Sequence, residues 1–215
     1  MSARDRILER LRAAPSVPVA APALPAIHLV PEATTTEHQL EQFRQGIEAF
    51  HGEVIDARVS GWRAALAAIC AAKNIRTLLL PPAEPAELDP WPGGPQLARF
   101  AQAIETFKQR LFDTTDAGLT IADGAIADTG TLIHADPGRM PRTLSLVPPI
   151  HICLLDVRRL HASLRSAMRS EPWANAMPSN LIFITGPSKT ADIQQTLAYG
   201  AHGPRELIVL LTEAP

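Results

Sequence analysis

Short apolar runs alternate along this chain with longer segments of helical period. TTTEHQLEQFRQGIEAFHG (34–52) opens with threonines suited to capping a helix and then repeats apolar residues at helical spacing. EVIDARV follows as a predicted strand, GWRAALAAICAAKNI (61–75) as an alanine-rich helix, and RTLLLP (76–81) as a buried strand. This alternation predicts an α/β fold in which helices flank a mostly parallel sheet.

The pattern changes in the second half of the chain. AGLTIADGAIADTGTLIHAD (117–136) holds two short alternating stretches, which predict antiparallel strands or one strand with a sharp corner. TLSLVPPIHICLLDV (143–157) predicts a strand whose two prolines lie at an edge, a bulge or a strand end. The remaining predicted elements are helices at 96–113, 158–170 and 188–200 and strands at 180–185 and 206–213.

The first 33 residues differ from the rest. ARDRILERLRA (3–13) places apolar residues on one side of a helix, and residues 15–33 contain five prolines without periodicity, as in an extended tether. We therefore predict an N-terminal helical arm at 1–33 and an α/β domain at 34–215. The pattern leaves open whether the arm docks on its own domain or on a partner.

Composition excludes several classes of function. The chain has 215 residues, a formal net charge of -2 and a pI near 6.4, which gives no electrostatic basis for binding nucleic acid or anionic membranes. Its apolar runs are too short to cross a bilayer, and its charged N-terminus lacks the apolar region of a signal peptide. We expect a cytoplasmic protein, and the pattern leaves a homo-oligomer open.

The two cysteines, Cys70 and Cys153, both lie in apolar surroundings, where a free thiol behaves as a small hydrophobic group. The chain has no CxxC pair and therefore cannot supply a cysteine cage for zinc or an iron–sulfur cluster. No cofactor is evident in this chain and no residue is assigned to a metal, while the sequence leaves open whether any metal binds.

The first candidate for chemistry is ADTGT (127–131). Gly130 allows backbone amides to approach a ligand, and the hydroxyls of Thr129 and Thr131 can bind oxyanions. Asp128 is a candidate base, metal ligand or hydroxyl acceptor. A plain hairpin turn favours the same residue types for backbone reasons, and this interpretation is the stronger one from these residues alone.

The second candidate is ITGPSKTADI (184–193), which follows a predicted strand. Ser188 or Thr190 can cap the predicted helix, and Asp192 in its first turn suits the positive end of the helix dipole. Amides exposed after Gly186, together with Lys189, predict a site for phosphate or carboxylate. An ordinary helix cap explains the same residues without any ligand.

The third candidate is YGAHGPREL (199–207). His202 lies between two glycines and is a candidate acid, base or ligand, while Gly203 suits a turn. His151, at a strand end, and Arg142, in a loop with Arg139, are further candidates, since guanidinium matches carboxylate geometry. Ligands of open α/β sheets bind beyond the carboxyl ends of the strands, and we expect the loops to converge there.

Three stretches, AIADTGTL, SLVPPIHICLL and ITGPSKTADIQQTLAYGAHGPRELIVLL, resemble the lactate-utilisation protein C family, which carries the LUD domain. The resemblance covers about residues 115–212. It implies a fold like that of the NagB/RpiA/CoA-transferase superfamily and a role in oxidising L-lactate to pyruvate beside two iron–sulfur partner proteins. The family pattern falls on Asp128, Thr129, Gly130, Thr131, His151, Gly186, Pro187, Ser188, Thr190, Ala191, Asp192, Gly200, His202, Gly203 and Pro204.

Three functions remain open from the sequence. The first is a component or accessory factor of L-lactate utilisation with a site for a small carboxylate or phosphate. The second is a stand-alone enzyme acting on a sugar phosphate or acyl-CoA, for which Asp128 is the nearest candidate nucleophile. The third is a non-catalytic scaffold for the iron–sulfur partners. In each case we expect the three loops to lie together.

Overall fold

The computed structural model describes residues 2–13, 35–82, 85, 88–100, 111–135, 140–174, 176–191, 197–200 and 202–213. The chain divides into two compact units, 1–31 and 32–215. In the first unit, helix α1 (Ala3–Ala13) has no buried residue, and Ile7 and Leu11 are 60% and 67% exposed. Every other element belongs to the second unit.

The second unit is built on a sheet of six strands. They are β1 (Glu53–Asp56), β2 (Thr77–Leu80), β3 (Gln96–Arg99), β4 (Ala117–Ile121), β7 (Ile150–Asp156) and β12 (Glu206–Thr212). Their order across the sheet is β1-β12-β7-β4-β2-β3, and every neighbouring pair runs parallel. This arrangement confirms the predicted α/β fold with a mostly parallel sheet.

A smaller sheet of four strands covers part of the larger one. Its strands are β5 (Gly124–Ile126), β6 (Thr131–His134), β8 (Leu160–His161) and β9 (Ile182–Ile184), in the order β8-β5-β6-β9. Strands β5 and β6 form an antiparallel hairpin, with Gly124 opposite Ile133. The antiparallel structure predicted after residue 117 is therefore confirmed.

Four helices of the second unit have both ends among the described residues, and residues 111–113 are also helical. The four are α2 (Thr36–Ala49), α3 (Trp62–Ala72), α4 (Thr143–Leu146) and α5 (Leu164–Ser170), with single 3₁₀ turns at Val157–Arg159 and Pro172–Ala174. Thr35 caps α2 by accepting a hydrogen bond from the His38 backbone N–H. Across the described residues, no helix combines the length and the apolar character needed to cross a membrane.

Three predicted elements differ in part from the structure. In the helix predicted for 96–113, residues 96–99 instead form edge strand β3, because their backbone pairs with β2, whereas residues 111–113 are helical and residues 101–110 lie outside the described residues. Residues 143–146 form α4 rather than a strand, and Pro148 and Pro149 come directly before β7, at the strand end. The helix predicted from 158 begins only at Leu164, because residues 160–161 pair with β5 and Ser163 provides a capping box.

The helix predicted for 188–200 is wrong. Residues Lys189–Ala191 (β10) and Leu197–Tyr199 (β11) instead form an antiparallel pair. The Gly200 backbone N–H donates to the Ser188 carbonyl at 2.9 Å, which brings the two ends of the segment together. A helix over these residues would hold its ends about 18 Å apart, at about 1.5 Å per residue. The tertiary contact at Ser188 therefore requires the chain to double back.

Strand β7 separates two large hydrophobic clusters. Ile152 and Leu154 belong to the cluster that includes Leu66 of α3. Cys153 and Leu155 belong to the cluster on the opposite face, which includes α2 and part of the small sheet. A third cluster, on the far side of the small sheet, joins Ile126, Ile133, Ala167 and Trp173. The central strand is therefore buried on both faces.

Two glycines let helix α2 touch the hairpin turn between β5 and β6. A Cβ atom on Gly46 would lie 2.6 Å from the Gly130 Cα, and one on Gly130 would lie 2.5 Å from the Gly46 carbonyl carbon. Gly130 also has a φ of +59°, which L residues rarely adopt. Only residues without side chains allow this approach of helix and turn.

We expect Gly130→Ala to destabilise the protein by about 1–3 kcal/mol more than Gly93→Ala, because only Gly130 meets backbone atoms. Gly93 is the matched control, since its φ of +73° carries the same backbone strain in open space. Chemical denaturation of both variants measures the difference in the free energy of unfolding. Equal losses would contradict the close contact between helix and turn.

Candidate functional site

A cavity of about 240 Å³ lies where two loops meet the beginnings of β7 and β12. The loops are 185–188, after β9, and 202–204, before β12. Aliphatic and aromatic walls come from Leu146, Leu207 and strand β9. The polar side chains at the cavity belong to Ser145, His151, Thr185, Ser188 and His202.

Backbone hydrogen bonds hold the two loops together. The Ser188 N–H donates to the Pro204 carbonyl at 2.8 Å, and the Arg205 N–H donates to the Pro149 carbonyl at 2.8 Å. A Cβ atom on Gly203 would lie 3.0 Å from the Ser188 Cβ, so this position favours glycine. The cavity is therefore bordered by loops whose backbone is fixed.

The cavity lies at the amino ends of two parallel strands, so these two loops converge there rather than beyond the carboxyl ends, where we expected them. His151 is the second residue of β7, and Pro204 comes just before β12. The reason is the small sheet, because the chain leaving β9 bonds through Ser188 to the segment that enters β12. The walls thus come from both sheets.

His151 is buried at the cavity, with 1% of its surface exposed. Its Nε2 lies 2.7 Å from the Thr120 Oγ1, so its ring is tied to a hydroxyl on the neighbouring strand β4. Burial, with a smaller electrostatic contribution from the neighbouring His134, lowers the pKa of His151 to about 3. The imidazole is therefore neutral at physiological pH.

His134 and Cys153 lie in the same buried layer, and the sequence reasoning did not select either as a site residue. The Cys153 Sγ is 4.0 Å from the His134 Nε2, and the rings of His134 and His151 have centroids 6.1 Å apart. Burial raises the pKa of the Cys153 thiol to about 12. The spacing of His151 and Cys153 on one strand face was the available sequence signal.

Five of the predicted site residues border the cavity: His151, Gly186, Ser188, His202 and Gly203. The turn at 128–130 does not, since Asp128 and Thr129 are exposed on the hairpin between β5 and β6. Thr131 connects the two regions, because its Oγ1 lies 2.8 Å from the Thr129 Oγ1 and 3.0 Å from the Thr185 Oγ1.

The predicted charged residues Arg142 and Lys189, which the structure describes, are not among the residues that line the cavity. Arg142 is exposed, and only its backbone carbonyl contributes, by accepting a hydrogen bond from the Ser145 hydroxyl at 3.0 Å. Lys189 and Thr190 lie on β10. Because no helix begins at Ser188, the anion site predicted at a helix N-terminus is wrong. Asp192 and Arg139 lie outside the described residues.

The described lining contains no lysine, arginine or carboxylate side chain. Polar recognition there comes from hydroxyls and imidazoles. The volume is below the roughly 300–1,000 Å³ typical of sites for drug-sized ligands. The arrangement therefore suits a molecule of a few heavy atoms with one polar end and one small apolar end.

Comparisons with known proteins agree on one family. The sequence model of the LUD domain matches residues 40–212. An uncharacterized protein of Neisseria meningitidis serogroup B is 36% identical, over 98% of this chain and 93% of its own length. The lactate utilization protein C of Exiguobacterium sp. is 38% identical over 41% of this chain, and that of Deinococcus radiodurans is 36% identical over 46%.

The matched segments span 40% and 47% of those two lactate utilization proteins, so the chain aligns with less than half of each. Among solved structures, a DUF162 family protein from Deinococcus radiodurans superposes with a TM-score of 0.56. That match covers 83% of this chain and 99% of the other at 24% identity. This structural likeness shows a shared fold.

We expect His151 to make the protein less stable as the pH falls below about 6.5. The unfolded histidine gains a proton near pH 6.5, whereas the folded one stays neutral down to about pH 3. This group alone lowers the free energy of unfolding by about 1.4 kcal/mol per pH unit across that interval.

Denaturation with a chelator present, from pH 7 to 4.5, measures the effect. The His151→Gln variant should lose stability less steeply than the wild type, while His38→Gln, at an exposed position, should keep the full slope. Identical slopes for all three proteins would contradict a neutral buried His151.

Proposed function

Because this chain belongs to the LUD domain family, we propose that it is a component or accessory factor of an L-lactate utilisation system and that its cavity binds a small carboxylate. The observation that carries the proposal is the sequence similarity to proteins named lactate utilization protein C, at 38% and 36% identity. The cavity supplies the complementary chemical argument.

The cavity offers two kinds of surface to a ligand such as L-lactate or pyruvate. The Ser188 hydroxyl can donate to a carboxylate oxygen, and the apolar walls of Leu146 and Leu207 suit a methyl group. A three-carbon acid also fits a volume of about 240 Å³. Size and polarity thus both support a small acid.

We assign His202 to the recognition of the ligand's carboxylate. It is exposed at the cavity, on the loop that Ser188 fixes through Pro204. An imidazole N–H can donate to a carboxylate oxygen, and a hydrogen bond is stronger when its acceptor is ionised. His151, which stays neutral, provides a polar but uncharged surface beside it.

A stand-alone acyl-CoA transferase has less support from this geometry. That chemistry needs a carboxylate nucleophile at the reacting centre, and none of the described residues that line the cavity is acidic. Asp128, the nearest candidate in sequence, is exposed on the hairpin turn. We therefore place the sugar-phosphate and acyl-CoA reactions second.

A scaffold role is compatible with the main proposal, and helix α1 favours it. Ile7 and Leu11, one helical turn apart, are 60% and 67% exposed, so the helix presents apolar surface. We propose that this surface binds an iron–sulfur partner in the cytoplasm and that the system's redox cofactors belong to the partners.

We expect L-lactate or pyruvate to bind the purified protein and His202→Ala and Ser188→Ala each to weaken binding about tenfold or more, through loss of a hydrogen bond to a charged group. Isothermal titration calorimetry measures the affinity, and His38→Ala serves as an exposed histidine control. Unchanged affinity in both cavity variants would contradict this site. Binding of acetyl-CoA or ribose 5-phosphate, but of neither small acid, would favour the stand-alone enzyme acting on an acyl-CoA or a sugar phosphate.

We expect deletion of the gene to abolish growth on L-lactate and the wild-type gene to restore it. The Ile7→Asp/Leu11→Asp double variant should fail to restore growth and should lose its iron–sulfur partners in affinity purification, since charge there disrupts an apolar contact. The conservative Ile7→Met/Leu11→Met variant should retain both. Normal growth of the deletion strain would contradict the proposed role.

A further inference from the structure

We propose that His134, His151 and Cys153 form a binding site for a transition-metal ion of the Zn²⁺ type. One donor atom from each residue lies within 4.8 Å of the other two. The three residues are 4%, 1% and 0% exposed. This proposal does not depend on the proposed role in lactate utilisation, and the experiment below tests it independently.

Rigid strands from both sheets position these donors. His151 and Cys153 are two residues apart on β7 and therefore point to the same face of the larger sheet. His134 is the last residue of β6, in the small sheet that covers this face. A metal bound here would join the two sheets at the centre of the second unit.

The donor set matches the chemistry of zinc. Zinc accepts imidazole nitrogen at about 2.0–2.1 Å and thiolate sulfur at about 2.3 Å, which places neighbouring donors roughly 3.3–3.6 Å apart. The distance of 4.0 Å between the Cys153 Sγ and the His134 Nε2 must close by about half an ångström, and donors as far apart as the 4.8 Å limit of the cluster by somewhat more than one ångström. The Thr120 hydroxyl, 2.7 Å from the His151 Nε2, restrains that ring.

The charge balance also favours a cation. Zinc with one thiolate carries a net charge of +1, which is costly in a buried layer without a counter-charge. The Asp123 carboxylate accepts a hydrogen bond from the Ala135 N–H at 2.7 Å, directly beside His134. It also lies close enough to Cys153 to act on that thiol by Coulomb repulsion. A bound cation would turn this repulsion into attraction.

The site has room for a ligand from outside the protein. Three protein donors leave a fourth position, which zinc fills with water or a small molecule in sites of this kind. His151 borders the cavity as well as the cluster. We therefore assign the fourth position to the side of the cavity.

Titration of the full-length, chelator-treated protein with Co²⁺ tests the proposal. We expect one equivalent to bind, with a thiolate-to-cobalt charge-transfer band and the intense visible bands of tetrahedral cobalt, all removed by Zn²⁺. Zinc at about 100 times its Kd should raise the Tm by about 5–10 °C. A wild-type protein with no charge-transfer band would overturn the proposal, because the three groups would then be neutral polar core residues.

The two buried cysteines provide a matched control. Cys153→Ala should lose the charge-transfer band, whereas Cys70→Ala, 3% exposed and distant from the histidines in sequence, should keep it. His134→Ala should weaken cobalt binding at least tenfold, and His38→Ala, at an exposed position, should not. Circular dichroism without metal shows which variants fold. If Cys153→Ala does not fold, the cobalt titration of the wild-type protein alone tests the site. Retention of the band in folded Cys153→Ala would contradict the site.

Discussion

The burial of strand β7 on both faces is the constraint on which the rest of this structure depends. Alternate residues of β7 enter two different hydrophobic clusters, so neither face can meet water. A polar side chain on this strand must then find a partner inside the protein, and His151 finds the Thr120 hydroxyl on β4. The neutral imidazole at the cavity and the cluster with His134 and Cys153 both follow from this burial.

The small sheet provides the walls that turn one face of the α/β sheet into a cavity. It covers the face of the larger sheet that carries His151, and the chain leaving β9 reaches the segment before β12 through the bond between Ser188 and Pro204. The cavity consequently lies at the amino ends of β7 and β12. Its described lining relies on hydroxyls and imidazoles, which suits a ligand of low charge and small size.

Local pattern was sufficient where neighbours in sequence decide the structure. The period of α2, the alanine-rich helix α3 and the apolar runs of β2 and β12 were all predicted, because burial of one face requires that spacing. The same reasoning failed at 188–200, whose alanine and glutamine content suits a helix. There the chain doubles back as the antiparallel pair of β10 and β11, with the bond from Gly200 to Ser188 at its end, and local helix propensity is too weak to prevent this pairing.

The sequence by itself determined the α/β class, the turn character of ADTGT, the motifs that mark the family and the polar residue types available for chemistry. Only the tertiary structure decided which of them meet. Ser188, His202 and His151 border one cavity while Asp128 stays on an exposed turn, and His134 lies against Cys153. The physical reason is that the hydrophobic periodicity of a segment indicates which face of its helix or strand a residue occupies. Whether residues from different segments meet depends on the pairing of strands that are far apart in the chain.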